Sequence, residues 1–172
     1  METRLEIRPA EVRDYAAVLA MNEAALPHVS SLGAEELRAL AGQCFYFRVA
    51  LVDGVVAGFL MALRPGEAYA SLNYRWFCEQ YASFVYIDRV VVAPQFHGFG
   101  VGRTLYEDVE RAARGVAPIL TCEVNLEPPN PGSMAFHEKM GFAEVGQMVA
   151  DEGKLVSLMV KAVGGGDREA AV

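Results

Sequence analysis

The stretch "DRVVVAPQFHGFGVGRTLYEDV", Asp88 to Val109, decides the fold. With the preceding "SFVYI" its first half is almost continuously apolar and β-branched, which describes a strand buried on both faces. Its second half sets Val101, Leu105, Val109 and Ala112 on one face of a helix. Between the two stand Gly98, Gly100 and Gly102. Glycine is unfavourable at a helix entry unless bare backbone is needed there. A strand, a glycine turn and a helix aim several N–H groups at one point, and the helix dipole adds positive potential. That makes an anion site. The same glycines could also form only a tight strand-to-helix turn.

What is missing narrows the choice of anion. A nucleotide P-loop needs GxxxxGK[ST], and no lysine lies between Val55 and Pro131. A dinucleotide fingerprint needs a third glycine where Arg103 stands, although Glu123 falls near the place of its ribose-binding acid. Neither nucleotide reading fits well.

Outward from this stretch, elements alternate. "RLEIRPA" alternates like a strand, and "EVRDYAAVLAMNEAAL" spaces Val12, Tyr15, Val18, Leu19 and Met21 like a helix stopped by Pro27. "GAEELRALAGQ" is a second amphipathic helix. Asp53-Gly54 joins two β-rich runs as a hairpin whose turn residues both need positive φ. "RPGEAYASLNYRWFCEQY" shows no clear period and reads as a long functional loop. After the glycine helix, Gly115 is a cap, and Glu107–Arg111 and Glu110–Arg114 are spaced as i,i+4 pairs. "APILTCEVNL" is a strand, "PPNPGSMAFHEKMGF" a short helix, and "AEVGQMVA" with "KLVSLMVKA" an antiparallel pair. One α/β domain over residues 1–163 follows, with 164–172 as an unpacked tail.

The net charge of -7 argues against nucleic acid and leaves room for a cationic substrate. Cys44, Cys78 and Cys122 are scattered, with no metal-binding spacing, which suits a reducing compartment. The charged N-terminus lacks a signal segment, and the longest apolar run is broken by Arg48, Asp53 and Gly54. A cytoplasmic protein that neither spans nor binds a membrane is expected.

Gln95-x-x-Gly98-x-Gly100, after "DRVVVAP" and before a helix, resembles the acyl-CoA pyrophosphate loop of the GNAT (Gcn5-related N-acetyltransferase) family. "NPGSMAFHEKMGF" is similar to the family's second signature, N-x-x-A-x-x-F-Y-x-x-x-G-F, and follows in the right order. The resemblance covers nearly the whole chain. It implies a mixed, mostly antiparallel twisted sheet of about seven strands with two splayed central strands, flanked by about four helices. It further implies an acyl-CoA-dependent N-acyltransferase, using acetyl-CoA as cosubstrate and no metal. The acceptor would be a small-molecule amine or a protein amino group, attacking directly.

Residue by residue, the resemblance implies that Val90, Val91 and Val92 pair with the pantetheine arm. The pyrophosphate would sit on the segment Gln95, Phe96, His97, Gly98, Phe99, Gly100, Val101, Gly102 and Arg103. His97 stands where the family often has arginine, so backbone amides must carry more of the binding. Asn130 matches the asparagine that contacts the cofactor arm, Ser133 replaces the usual alanine, and Phe136 falls within the motif. His137 stands where the family has the tyrosine assigned as acid to the departing thiolate. A histidine there could donate through a ring N–H, or could simply line the pocket.

A direct transfer needs a base for the attacking ammonium, and Glu123 and Asp88 are carboxylates set in apolar strands. Glu123 is preferred, since "TCEVN" leads to the splayed end; Asp88 could equally be an ion-pair partner. Tyr74, Trp76, Phe77 and Tyr81 could cage an amine by cation–π contact, with Asn22 and Glu23 as further acceptor-side candidates. Those aromatics could instead anchor their loop to the core. The alternative function is a catalytically silent acyl-CoA-binding sensor, which His137 keeps open. The last strands could pair across a homodimer.

Overall fold

The structure is a computed structural model and describes residues 2–164. The tail expected at the C-terminus falls, from residue 165 on, outside the described residues. Strands β1 (Leu5–Pro9), β2 (Tyr46–Val52), β3 (Val55–Leu63), β4 (Val85–Val92), β5 (Ile119–Glu127), β6 (Ala143–Val149) and β7 (Leu155–Ala162) build one sheet. Its order is β1-β2-β3-β4-β5-β7-β6. Every pairing is antiparallel except β4 with β5. The hairpin between β2 and β3 turns at Asp53 and Gly54, with φ of 49° and 83°, as the Asp-Gly pair requires.

Five α-helices cover the sheet: α1 (Tyr15–Ala24), α2 (Ala34–Gln43), α3 (Leu72–Gln80), α4 (Val101–Ala113) and α5 (Pro131–Lys139). Helix α4 buries Val101, Leu105, Tyr106, Val109 and Ala113, and joins α5 on one face through Met134, Phe136 and Met140. The other face packs Val18 of α1, Leu37 and Leu40 of α2, and Tyr74 and Phe77 of α3. Side chains along β5 alternate between these faces, so Leu120, Cys122 and Val124 meet α4 while Thr121, Glu123 and Asn125 turn toward α1–α3.

Two local expectations are corrected. The segment expected as a long loop contains α3, capped by Ser71, whose hydroxyl accepts from the Tyr74 amide at 3.3 Å. Tyr74 and Phe77 supply its buried face, and Trp76 lies against Gly146 of β6. The Glu107–Arg111 and Glu110–Arg114 pairs expected on α4 give way to other partners. Arg111 pairs with Asp108 at 3.1 Å, Glu110 with Lys161 of β7 at 2.6 Å, and Glu107 with Arg103 at 3.5 Å. Gly115 follows α4 with φ of 76°, as a cap should. No helix among the described residues is long and apolar enough to cross a membrane.

Candidate active site

β4 and β5 start side by side but share only the pairs Val85–Leu120 and Tyr86–Thr121. Beyond them β4 stays with β3 and β5 with β7, so the two inner edges separate. A cavity of about 660 Å³ opens in this fork and reaches both faces of the sheet.

A β-bulge shapes one wall. Ile87 pairs with Ala62 and Arg89 with Met61, which leaves Asp88 as the extra residue in β4. Bulges re-aim side chains. Here Asp88 and Arg89 turn to the same side, and Arg89 Nε meets Asp88 Oδ2 at 2.7 Å. The Tyr69 hydroxyl donates to Asp88 Oδ1 at 2.6 Å. Arg89 Nη1 donates to Asn22 Oδ1 and to the Ser30 carbonyl, each at 3.0 Å. Breaking a buried pair of this kind costs about 3–5 kcal/mol. Asp88, a candidate base from sequence, is therefore committed to holding the loop after α1. Asn22 is fully buried in the same network and does not line the cavity, nor does Glu23.

Glu123 is free of such a partner. It lines the fork next to Asp88, and Tyr86 donates its hydroxyl to Glu123 Oε2 at 2.8 Å. Burial, then the charge of Asp88, push the Glu123 carboxyl up to about 8, which hydrogen bonding from Tyr86 and Asn73 offsets only in part. A carboxyl in that range suits proton transfer near neutral pH.

The opposite wall carries no such charge. His137, on α5, is buried among Tyr106, Phe136 and Phe142. Its Nδ1 lies 2.7 Å from the Ser133 carbonyl, which can only accept, so Nδ1 holds the proton. Nε2 then accepts from the Tyr106 hydroxyl. Burial lowers the His137 pKa, which keeps the ring neutral. Both ring nitrogens are thus engaged, and the ring has no spare N–H for a departing thiolate. Tyr106, whose hydroxyl it holds, also lines the cavity. The sequence did carry a sign of Tyr106: a tyrosine on the apolar face of a helix needs a partner for its hydroxyl.

The glycine loop divides its labour. Gly98 and Gly100 have φ of 89° and 77°, the left-handed region that excludes most side chains, and Gly100 caps α4. Gly102 has no such need; a Cβ there would only touch Phe136 and Val92. The ladder of α4 begins with Thr104 N–H donating to the Gly100 carbonyl, so the amides of Val101, Gly102 and Arg103 project from the helix end without helical partners. Val101 itself is core. Gln95, Gly98, Phe99, Gly100 and Arg103 are exposed, and Phe96 stands edge-on to Phe99. His97 Nε2 donates to the Val92 carbonyl at 3.1 Å. Val90, Val91, Val92, His97, Asn130 and Ser133 line the cavity with Glu123 and His137.

The aromatic cage expected for the acceptor is not formed. Tyr74 and Phe77 are core, Trp76 and Tyr81 pack against Phe77, and none of the four lines the fork. Helix formation turned them inward. Tyr69, Asn73, Arg89 and Lys154, which the sequence did not single out, line that wall. Lys154 donates to the Pro27 carbonyl at 2.7 Å and so ties the turn before β7 to the loop after α1.

A sequence profile described as the Acetyltransferase (GNAT) family matches residues 15–142. No curated protein matches the chain. Among solved structures, Ard1 from Thermoplasma volcanium superposes with a TM-score of 0.76 at 19% identity, over 92% of this chain and 97% of its own. The ribosomal-protein-S18-alanine N-acetyltransferase from Escherichia coli gives 0.70 at 18%, over 93% and 94%. The putative acetyltransferase yncA from Salmonella typhimurium, solved with its cofactor acetyl-CoA, gives 0.67 at 22%, over 94% and 95%.

Proposed function

Because the chain belongs to the GNAT acetyltransferase family, we propose that it transfers an acetyl group from acetyl-CoA directly to a primary amine, with Glu123 as base. The observation that carries this reading is Glu123 at the fork of β4 and β5, with a carboxyl pushed up to about 8. The solved relative from Salmonella typhimurium holds acetyl-CoA. The residues here fit that cosubstrate: an open β4 edge from Val90 to Val92 suits the pantetheine amides, and the free amides of α4 suit a pyrophosphate.

Glu123 takes a proton from the acceptor ammonium, which frees the nitrogen lone pair to attack the thioester carbonyl carbon. The C–S bond then breaks and the electron pair leaves on sulfur. A thiol has a pKa of about 8.5, so the leaving thiolate can take up the second proton shed by the attacking nitrogen. Tyr106 lines the cavity there and could hydrogen-bond the sulfur by turning its one hydroxyl hydrogen away from His137 Nε2. His137 orients that hydroxyl and cannot itself donate while Nδ1–H serves Ser133. The acidic cavity suits a cationic acceptor, either a small amine or the amino group of a protein.

The test pairs thiol release on a panel of amines with calorimetric titration of acetyl-CoA. Release on at least one amine, lost in Glu123→Gln with acetyl-CoA binding retained, is the expected result. Binding without release on every amine would instead describe a silent acyl-CoA sensor.

A further inference from the structure

The fork holds one polar atom that the chemistry above does not use. Asn73, in the first turn of α3, is only 8% exposed, and its Oδ1 has no hydrogen-bond partner although the residue lines the cavity. Buried acceptors are nearly always satisfied, and an orphan on a residue that lines a cavity marks where a donor should arrive.

Its position is fixed from several sides. The Tyr74 hydroxyl donates to the Arg64 carbonyl at 2.7 Å and accepts from the Glu67 amide at 2.9 Å. The Phe77 ring rests on Tyr86, with centroids 5.9 Å apart, and Tyr86 in turn holds Glu123. The start of α3 is also tied to Asp151, which accepts from the Leu72 amide at 3.2 Å. Asn73 therefore cannot drift from the carboxyl it neighbours.

We propose that Asn73 is the positioning residue for the acceptor nitrogen, its Oδ1 accepting one N–H of the incoming ammonium while Glu123 accepts another. The inference rests on the transferase reading and adds a selectivity to it. The cavity wall carries the carboxylates of Glu36, Asp88, Glu123, Asp151 and Glu152. Of its cations, Arg89 is spent on Asp88, and Lys154 is held by Glu152 and the Pro27 carbonyl. A visitor that satisfies a lone carbonyl oxygen amid this charge is a cation with more than one N–H. A primary ammonium offers three: one proton passes to Glu123, and an N–H stays on Asn73 while the lone pair turns to the thioester. An alcohol has a single hydrogen, so it must leave either Asn73 or Glu123 unserved. The site therefore takes primary amines and rejects hydroxyl acceptors.

The experiment measures CoA thiol release from acetyl-CoA with n-butylamine, spermidine and an alanine-terminated tripeptide, on the wild type, Asn73→Ala and Asn73→Asp. For the amine the wild type uses best, Asn73→Ala should raise KM about tenfold, the loss of one buried hydrogen bond. Calorimetry should find acetyl-CoA affinity unchanged, since its contacts lie on the other face. Asn73→Asp keeps an acceptor oxygen, so KM should stay near the wild-type value. Its acidic limb should move to higher pH, because a second carboxylate makes Glu123 hold its proton. A residue that only braced α3 would impair both variants alike and leave that limb in place. An unchanged KM in Asn73→Ala, or an equal rise in Asn73→Asp, overturns the proposal and leaves the transferase reading standing. No release by the wild type on any amine overturns both.

Discussion

The two walls of the fork solve opposite problems by opposite means. Toward α1–α3 the wall is charged and braced by side chains: Asp88 with Arg89 and Tyr69, Arg89 with Asn22, Glu123 with Tyr86. Toward α4 and α5 it is neutral, made of helix-end amides and the Tyr106–His137 pair. A cation can be met by carboxylates whose proton affinity is tuned by burial. An anion can be met on this acidic chain by backbone dipoles, which bring no titration of their own. The sheet separates the two, so each can be altered alone.

The strongest challenge to the neutral wall is Gly100→Val. At φ of 77° a β-branched residue is strained, yet nothing lies within 4 Å of the added Cβ. The chain should fold with a small loss in Tm while the side chain stands over the α4 amides. Acetyl-CoA binding should fall below detection by calorimetry. On the charged wall, Glu123→Gln should cut kcat by about 10²–10⁴-fold, the usual worth of a general base, with acetyl-CoA affinity intact. Loss of acetyl-CoA affinity together with turnover in Glu123→Gln would mean that the walls are not independent.

The pH dependence separates the walls further. Glu123 must be ionised to act, so kcat/KM for the amine should climb as pH rises through about 8 and level off above it. Stability runs the other way. A carboxyl raised from 4.5 to about 8 binds its proton more tightly in the folded chain, so the stability it brings is present at low pH and fades as pH rises between those values. Chemical denaturation across that window should show the decline in the wild type and a flatter line in Glu123→Gln.

Much of this architecture could be read from the chain, for reasons that differ by element. The glycine loop and the hairpin were legible because positive φ leaves a local mark, at Gly98, Gly100 and Asp53-Gly54. Glu123 stood out because a carboxylate in an apolar strand is conspicuous. Helix α3 was hidden by its aromatics, although Ser71 followed by Tyr74 and Phe77 was a cap with an inward face. The bulge at Asp88 left no sign, since an extra residue in a strand depends on the partner's register. With it went the identity of Arg89 as the ion-pair partner that the sequence allowed for Asp88. Asn73 was invisible for a related reason, and Tyr106 showed only as a hydroxyl in need of a partner: what each does depends on what stands opposite it in space.

The Tyr106–His137 pair offers a subtler test of the neutral wall. His137→Phe leaves the Tyr106 hydroxyl buried without its acceptor and should lower kcat about tenfold, with some loss of stability. Tyr106→Phe should cost a similar factor. If the two act as one unit, the double variant should be little worse than either single one and should recover stability, because both ends of the bond are gone. Factors that multiply would assign His137 a separate task.

The smallest effect belongs to His97, and its smallness is the point. Its Nε2–H is already given to the Val92 carbonyl at 3.1 Å, so the ring is not presenting that proton to an anion. His97→Ala should weaken acetyl-CoA binding only a few-fold, about the worth of one exposed hydrogen bond. The salt dependence of that binding should hardly change, because no permanent charge has been removed. His97→Arg would add one, and should make the affinity both higher at low salt and steeper in its decline as salt rises. A large loss in His97→Ala, with a flattened salt dependence, would show that a charged ring shares the anion with the amides of α4.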